Sequence, residues 1–165
     1  MTGRIPREPL DESVLGKLLG ALAARPGPVP KYRYPSAGTL YPVQAYIVLS
    51  RPVGRLAAGS YYHDPVAHAL VELSAATPAA PDGTTPPALL ILVARGAAID
   101  PIYGAHADAL CLLEAGYMEA ALDAAGTGLT LRDAGDPAGQ PALANAFALE
   151  ADDRPLVSLG IGENL

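Results

Sequence analysis

The sequence predicts a single α+β domain, and three observations lead to that prediction. The chain has 165 residues, a length that suits one domain with a sizeable core. Apolar residues recur at helical spacing near the start of the chain and again over 105–126. Short apolar runs of strand length lie between and after these segments, and no internal repeat or domain boundary interrupts them. The sequence therefore predicts that residues 1–165 form one domain with both helices and strands.

Up to residue 94, the sequence predicts a helix, a buried strand, a hairpin and a central strand. A helix is expected over 9–24, where leucines recur at helical spacing until the proline-rich segment 25–30 ends it. A β-rich run over 43–49 predicts a buried strand, and residues 59–73 predict a hairpin. The continuous apolar run over 88–94 predicts a central strand that is covered on both faces.

After this strand, the longest helix is predicted over 105–126. A loop over 129–140, a short helix over 141–149 and a closing strand over 154–162 follow it. Small residues in the long helix would allow a second helix to approach closely, as at a dimer interface. The spacing predicts a buried face made of Leu110, Leu113, Tyr117, Ala121 and Leu122.

Composition and charge narrow the classes of function. The formal charge of −6 is unfavourable for nucleic-acid binding, which needs a basic surface. The sequence has no apolar run long enough for a membrane span and no apolar segment of signal-peptide length before the first helix. The single cysteine, Cys111, excludes an internal disulfide and lies in an apolar segment where a buried thiol is expected. These features predict a cytoplasmic protein without nucleic-acid or membrane partners.

The common catalytic motifs are absent from this sequence. It contains no nucleophile elbow, no phosphate-binding Walker loop and no Cys-x-x-Cys pair. The three histidines, His63, His68 and His106, are scattered, and no ligand spacing supports a metal site. Glu114 lies in the middle of the apolar long helix and needs a partner, for which an arginine at an interface is expected. A cofactor enzyme, in which the protein binds and orients the reacting group, remains the best hypothesis.

The most informative stretch is 31–46, which combines two cations, four tyrosines and several small turn-forming residues directly before a predicted strand. Serine and glycine allow a loop to approach a ligand closely and to offer backbone N–H groups. This stretch resembles the flavin-contacting segment of nitroreductase-like, SagB-type dehydrogenases, and in particular the oxidase domains of nonribosomal peptide synthetases. The segments 56–70, 102–104 and 111–118 are similar to further motifs of those domains. The similarity covers roughly residues 4–162.

The resemblance implies a nitroreductase-like fold, in which helices flank a central, mostly antiparallel sheet. It also implies a homodimer with FMN at its interface. The implied activity is oxidation of a thiazoline or oxazoline to an azole, or dehydrogenation of an amino-acyl unit tethered to a carrier domain. Two alternatives remain open: a flavin-free relative that binds a carrier or partner protein, and a general NAD(P)H-dependent flavin nitroreductase.

The resemblance also assigns expected roles to individual residues. Tyr103 matches a tyrosine that takes part in proton removal, Arg4 falls near a phosphate clamp whose other members are missing here, and Arg33 would lie beside the flavin. The segment 130–135 replaces a Pro-Ile-Gly-Gly loop of the family. There Arg132 and the backbone around Asp133 would face the flavin, although an arginine at that place could also exclude the ring. The residues expected to line the isoalloxazine and ribityl chain are Pro35, Ser36, Ala37, Gly38 and Thr39.

Overall fold

The computed structural model describes residues 10–162, and one antiparallel sheet forms the centre of the fold. The six strands lie in the order β3-β2-β1-β4-β6-β5, and each neighbouring pair is antiparallel. The predicted α+β class and the predicted sheet are therefore confirmed. The strands are β1 (Val43–Leu49), β2 (Gly59–Asp64), β3 (Ala69–Ser74), β4 (Ala88–Arg95), β5 (Thr130–Asp133) and β6 (Asp153–Gly162).

Within residues 10–162, four α-helices accompany this sheet: α1 (Glu12–Leu19), α2 (Gly96–Tyr103), α3 (Ala107–Ala124) and α4 (Pro141–Phe147). Within the described residues, none of them is long and apolar enough to cross a membrane. The first helix is shorter than predicted at its start because Asp11 caps it, with its Oδ1 accepting the Val14 N–H at 2.8 Å.

At the central strands β1 and β4 both faces of the sheet are buried, which explains the continuous apolar run of β4. Leu90 and Leu92 of β4 pack on the side of α1 and α3, whereas Leu89 and Ile91 pack on the side of α4. Successive side chains of a strand point to opposite faces, so a strand covered on both sides needs apolar residues at every position. The predicted strands over 43–49 and 88–94 are confirmed.

Two elements differ from the sequence-based prediction. Helix α2 was not predicted, because it begins at Gly96, is followed by Gly104 and contains Pro101. Tertiary contacts hold it: Ile99 is fully buried, and Asp100 pairs with Arg154 of β6 at 2.7 Å. Strand β5 lies inside the segment predicted as a loop, where it pairs with the end of β6.

The buried face of α3 also differs from the prediction. Leu113 is 59% exposed and Tyr117 is 48% exposed, although both were expected to be buried. The helix is apolar on both sides, so the spacing of its apolar residues does not determine which side meets the sheet. The face that packs inward is formed by Ala107, Cys111, Glu114, Ala115, Met118 and Leu122.

Candidate functional site

The segment directly before β1, residues 36–43, has an unusual backbone. Gly38, Thr39 and Tyr41 all have positive φ angles, of 59°, 58° and 50°. A non-glycine residue in this region costs roughly 1–3 kcal/mol, and such strain persists only where the surrounding structure fixes it. Strain of this kind is concentrated in functional segments of proteins. We call residues 36–43 the strained loop.

Side chains fix the strained loop at both of its ends. The Tyr41 N–H donates to the Ser36 Oγ at 2.8 Å, which closes the loop on itself. At the far end, the Val43 N–H donates to Glu114 Oε1 of α3 at 3.1 Å. Burial raises the pKa of this carboxyl to about 7, and its hydrogen bonds with the Ser36 hydroxyl and the Val43 N–H oppose that rise. The loop is therefore tied to the middle of the longest helix.

Three tyrosine rings support the segment that leads into this loop. The rings of Tyr32 and Tyr41 lie 4.0 Å apart between centroids, and the ring of Tyr34 lies within 5.9 Å of both. The Tyr32 N–H also donates to the Tyr41 hydroxyl at 3.3 Å. Packed aromatic rings of this kind restrict the motion of the loop that carries them.

The strained loop and Tyr103 meet at Gly38. A Cβ atom at Gly38 would lie only 2.8 Å from the Tyr103 hydroxyl, so no larger residue fits at position 38 without a shift. The Tyr103 hydroxyl makes no hydrogen bond to any residue in the described part of the chain, which leaves it free to contact a ligand. Sequence reasoning proposed these two features separately, and the fold brings them together.

Helix α2 is held firmly where it carries Tyr103. Arg154 of β6 makes a two-pronged ion pair with Asp100, with N–O distances of 2.7 and 2.8 Å. Its Nε also lies 2.8 Å from the Asp108 carboxylate of α3. These contacts join α2, α3 and β6, and paired guanidinium–carboxylate geometry makes them directional. The position of Tyr103 therefore depends on an ion-pair cluster that the sequence did not reveal.

Known proteins resemble this chain in sequence and in fold. No protein-family model matches it. It is 34% identical over 122 residues to the indigoidine synthase of Dickeya dadantii (strain 3937). The aligned region covers 72% of this chain and 8% of that protein. The chain thus spans less than a tenth of the length of this relative.

Solved structures share the fold over almost the whole chain. A candidate nitroreductase of Ralstonia eutropha JMP134 matches with a TM-score of 0.79 at 24% identity, over 98% of this chain and 77% of that one. A chain of the E. coli microcin synthetase McbBCD complex, solved with truncated pro-MccB17 bound, matches with a TM-score of 0.73 at 20% identity, over 98% and 70%. A candidate nitroreductase of Anabaena variabilis ATCC 29413 matches with a TM-score of 0.75 at 19% identity, over 90% and 34%. The chain has a nitroreductase-like fold.

Within this nitroreductase-like fold, Arg33 is exposed. It borders a surface groove of about 540 Å³ that also contains Lys17 and a floor of small residues from α3. In the described part of the chain Arg33 forms no ion pair. Pro35 is exposed beside it, whereas Ser36 and Ala37 are half-buried. Arg4 lies outside the described residues.

Arg132 and Asp133 lie in β5 and not in a loop, far from the strained loop. The Arg132 guanidinium lies 3.1 Å from both the Asp82 carboxylate and the Thr84 hydroxyl. Across the sheet, Arg132 pairs with Gly160 of β6, which pairs with Leu89 of β4, which pairs with Val48 of β1. Val48 lies five positions along β1 from Val43, where the strained loop ends. With about 3.3 Å per residue and about 4.8 Å per strand, the two places are about 20 Å apart.

The structure also brings together two histidines that the sequence left scattered. His63 Nε2 and His68 Nδ1 lie 3.2 Å apart, across the turn of the β2–β3 hairpin. Burial, helped by the neighbouring His68, lowers the pKa of His63 to about 4, so His63 is neutral at physiological pH. Among the described residues, no group of three or more His, Cys, Asp or Glu side chains could hold a metal ion.

Proposed function

We propose that the chain is an FMN-dependent oxidoreductase that dehydrogenates an azoline or amino-acyl unit tethered to a carrier domain in nonribosomal peptide biosynthesis. The observation that carries the proposal is the meeting of the strained loop with the free Tyr103 hydroxyl. The nitroreductase-like fold and the similarity to an indigoidine synthase support it.

The residues of the strained loop suit a flat ligand. From Ser36 to Thr39 no side chain is larger than threonine, and Gly38 and Thr39 are exposed. An aromatic ring system could therefore approach the backbone closely, as small residues permit. Ser36, Ala37, Gly38 and Thr39 would line the isoalloxazine, with Pro35 at the edge. Bound FMN would supply the two-electron chemistry by accepting a hydride from the substrate.

Tyr103 would take part in removing the substrate proton. Its hydroxyl oxygen lies beside Gly38, so a substrate on the strained loop would be within its reach. Tyrosine is a weak base at its reference pKa near 10, and proton transfer needs a cationic neighbour or a relay to lower that value. The anchored α2 would keep the phenol oxygen in place while the proton moves.

A complete site would need two copies of the chain. Within one chain, Arg132 and Asp133 lie about 20 Å from the strained loop. These two residues and the strained loop of the same chain therefore cannot contact one ring system. Packing of two copies through α3 would bring segments of different chains together. The apolar side chains available for that contact are exposed: Ile102, Leu112, Leu113 and Tyr117.

Flavin uptake tests the proposal. Purified protein mixed with FMN and then desalted should retain absorbance in the flavin bands. Arg33→Ala should weaken FMN binding by about 1.5–3 kcal/mol, the usual size of a hydrogen bond to a charged group. Arg51→Ala is the matched control, because Arg51 is exposed at the end of β1, and within the described residues it has no ion-pair partner.

Different results would favour the alternatives. A protein that takes up no FMN would overturn the proposal and favour a partner-binding module. Rapid bleaching of bound flavin by NAD(P)H without any azoline would favour a general flavin reductase. Equal FMN affinity in Arg33→Ala and the parent would show that Arg33 does not contact the cofactor.

The dimer makes a separate prediction. Light scattering at micromolar concentration should give a mass near twice 16.9 kDa. Leu113→Glu should shift the protein to monomer, because a charge replaces a 59% exposed leucine at the centre of the proposed contact. Leu73→Glu, on the outer strand β3, should leave the dimer intact. A monomeric parent would remove the shared site.

A further inference from the structure

Glu114 is a buried charged residue to which the proposed reaction gives no role. Its side chain is 2% exposed, and no lysine or arginine in the described chain forms an ion pair with it. The expected arginine partner is therefore not found within the described chain. Its partners belong to the strained loop instead: the Val43 N–H at one end and the Ser36 hydroxyl at the other.

We propose that Glu114 is a positioning residue that holds the strained loop in the shape that places Gly38 beside the Tyr103 hydroxyl. Three of the residues between its two contacts have positive φ angles, and such a backbone relaxes unless contacts fix it. Glu114 binds the loop at both ends and belongs to a rigid helix of 18 residues. This positioning role rests on the proposed function only for the identity of the ligand that the loop would bind.

This arrangement makes the loop sensitive to pH. Burial without a cation raises the pKa of Glu114 to about 7, against the opposing effect of its two hydrogen-bond donors. The titratable groups that face it are Tyr32, Tyr34 and Cys111, and burial raises the pKa of each, so all three are neutral near pH 7. Arg154 acts on Cys111 but is paired with two carboxylates.

The sign of the effect follows from linkage. In the closed form the strained loop is bound to buried Glu114, and in the open form Glu114 is hydrated. A carboxyl group whose pKa is raised in the closed form stabilises that form at low pH and destabilises it once the carboxyl is ionised. With a pKa of about 7 when buried and 4.5 when hydrated, the population of open loop should rise about tenfold from pH 6 to pH 8. Glu114→Gln, which stays neutral and keeps a hydrogen-bond acceptor for Val43, should remove this rise.

Hydrogen exchange of the flavin-free protein tests the proposal independently of its activity. Exchange over residues 36–43, corrected for the intrinsic pH dependence, should show the tenfold rise in the parent and none in Glu114→Gln. Glu114→Ala should speed exchange of the loop by about tenfold or more, while exchange in β4 changes little. Glu119→Gln is the matched control on α3 and should behave like the parent.

Three results would overturn the proposal. The first is a parent loop whose opening does not change between pH 6 and pH 8. The second is a Glu114→Gln variant with the same rise as the parent, a measurement that stands even if Glu114→Ala does not fold. The third is a folded Glu114→Ala whose loop exchanges as slowly as the parent. Because no flavin is present, failure here is distinguishable from failure of the proposed function.

Discussion

Tyr103→Phe is expected to lower the rate of substrate oxidation by about 10²–10⁴-fold, the usual contribution of a positioned proton-transfer group. The substitution removes only the hydroxyl that lies beside Gly38. FMN binding should stay within about twofold, because the ring that packs against the loop is retained. The measurement is single-turnover oxidation of a thiazoline thioester, followed by loss of the flavin absorbance.

The control for this variant is Tyr62→Phe, the same chemical change on the opposite face of the sheet. Tyr62 packs against Tyr46 with ring centroids 5.5 Å apart. It shares a cavity wall with Tyr41 and Val43, but the atoms nearest to a Cβ at Gly38 belong to Tyr103 and Leu40 and not to Tyr62. It should oxidise substrate at the rate of the parent. If Tyr103→Phe also does so, then Tyr103 has only a packing role.

Gly38→Ala should reduce substrate oxidation at least tenfold and destabilise the protein by about 1–2 kcal/mol. The left-handed backbone at this position disfavours a side chain by roughly that amount. In addition, the new Cβ would lie 2.8 Å from the Tyr103 hydroxyl and displace it. Thermal unfolding and single-turnover kinetics measure the two effects separately.

Two further variants separate the causes of that effect. Gly38→Asn tolerates the left-handed backbone better than alanine, so it should recover part of the stability but not the activity. Gly16→Ala is the control, because no atom within 4 Å would meet its Cβ in the middle of α1. It should stabilise the protein by up to about 1 kcal/mol. An active Gly38→Asn would show that the Gly38–Tyr103 contact is unimportant.

The sequence predicted most of the fold because strand and helix periodicity depends on local patterns. The length and the flanking Pro and Gly of the apolar run over 88–94 predict a strand buried on both faces, and the structure confirms it. Helix α2 was missed because Gly96 at its start, Gly104 after its end and the internal Pro101 oppose helix formation locally. Strand β5 was missed because four residues are too short a pattern to distinguish from a loop.

Part of the candidate site could likewise be predicted from the sequence, and part could not. The small residues before β1 marked the strained loop in the sequence, and the resemblance drew attention to Tyr103. Nothing in the local pattern showed that Gly38 and Tyr103 touch, since they are 65 positions apart in the chain. The sequence also marked Glu114 as a buried charge in need of a partner, but named an arginine where the fold provides a backbone N–H.

The sequence by itself determined the α+β class, the central strands and the loop chemistry, because each is written in residues that are neighbours in the chain. Only the tertiary structure decided which face of α3 is buried, where Arg132 lies and what Glu114 binds. Those outcomes depend on contacts between distant segments. A helix that is apolar all round, or a single buried carboxyl, fits several partners until the sheet fixes one of them.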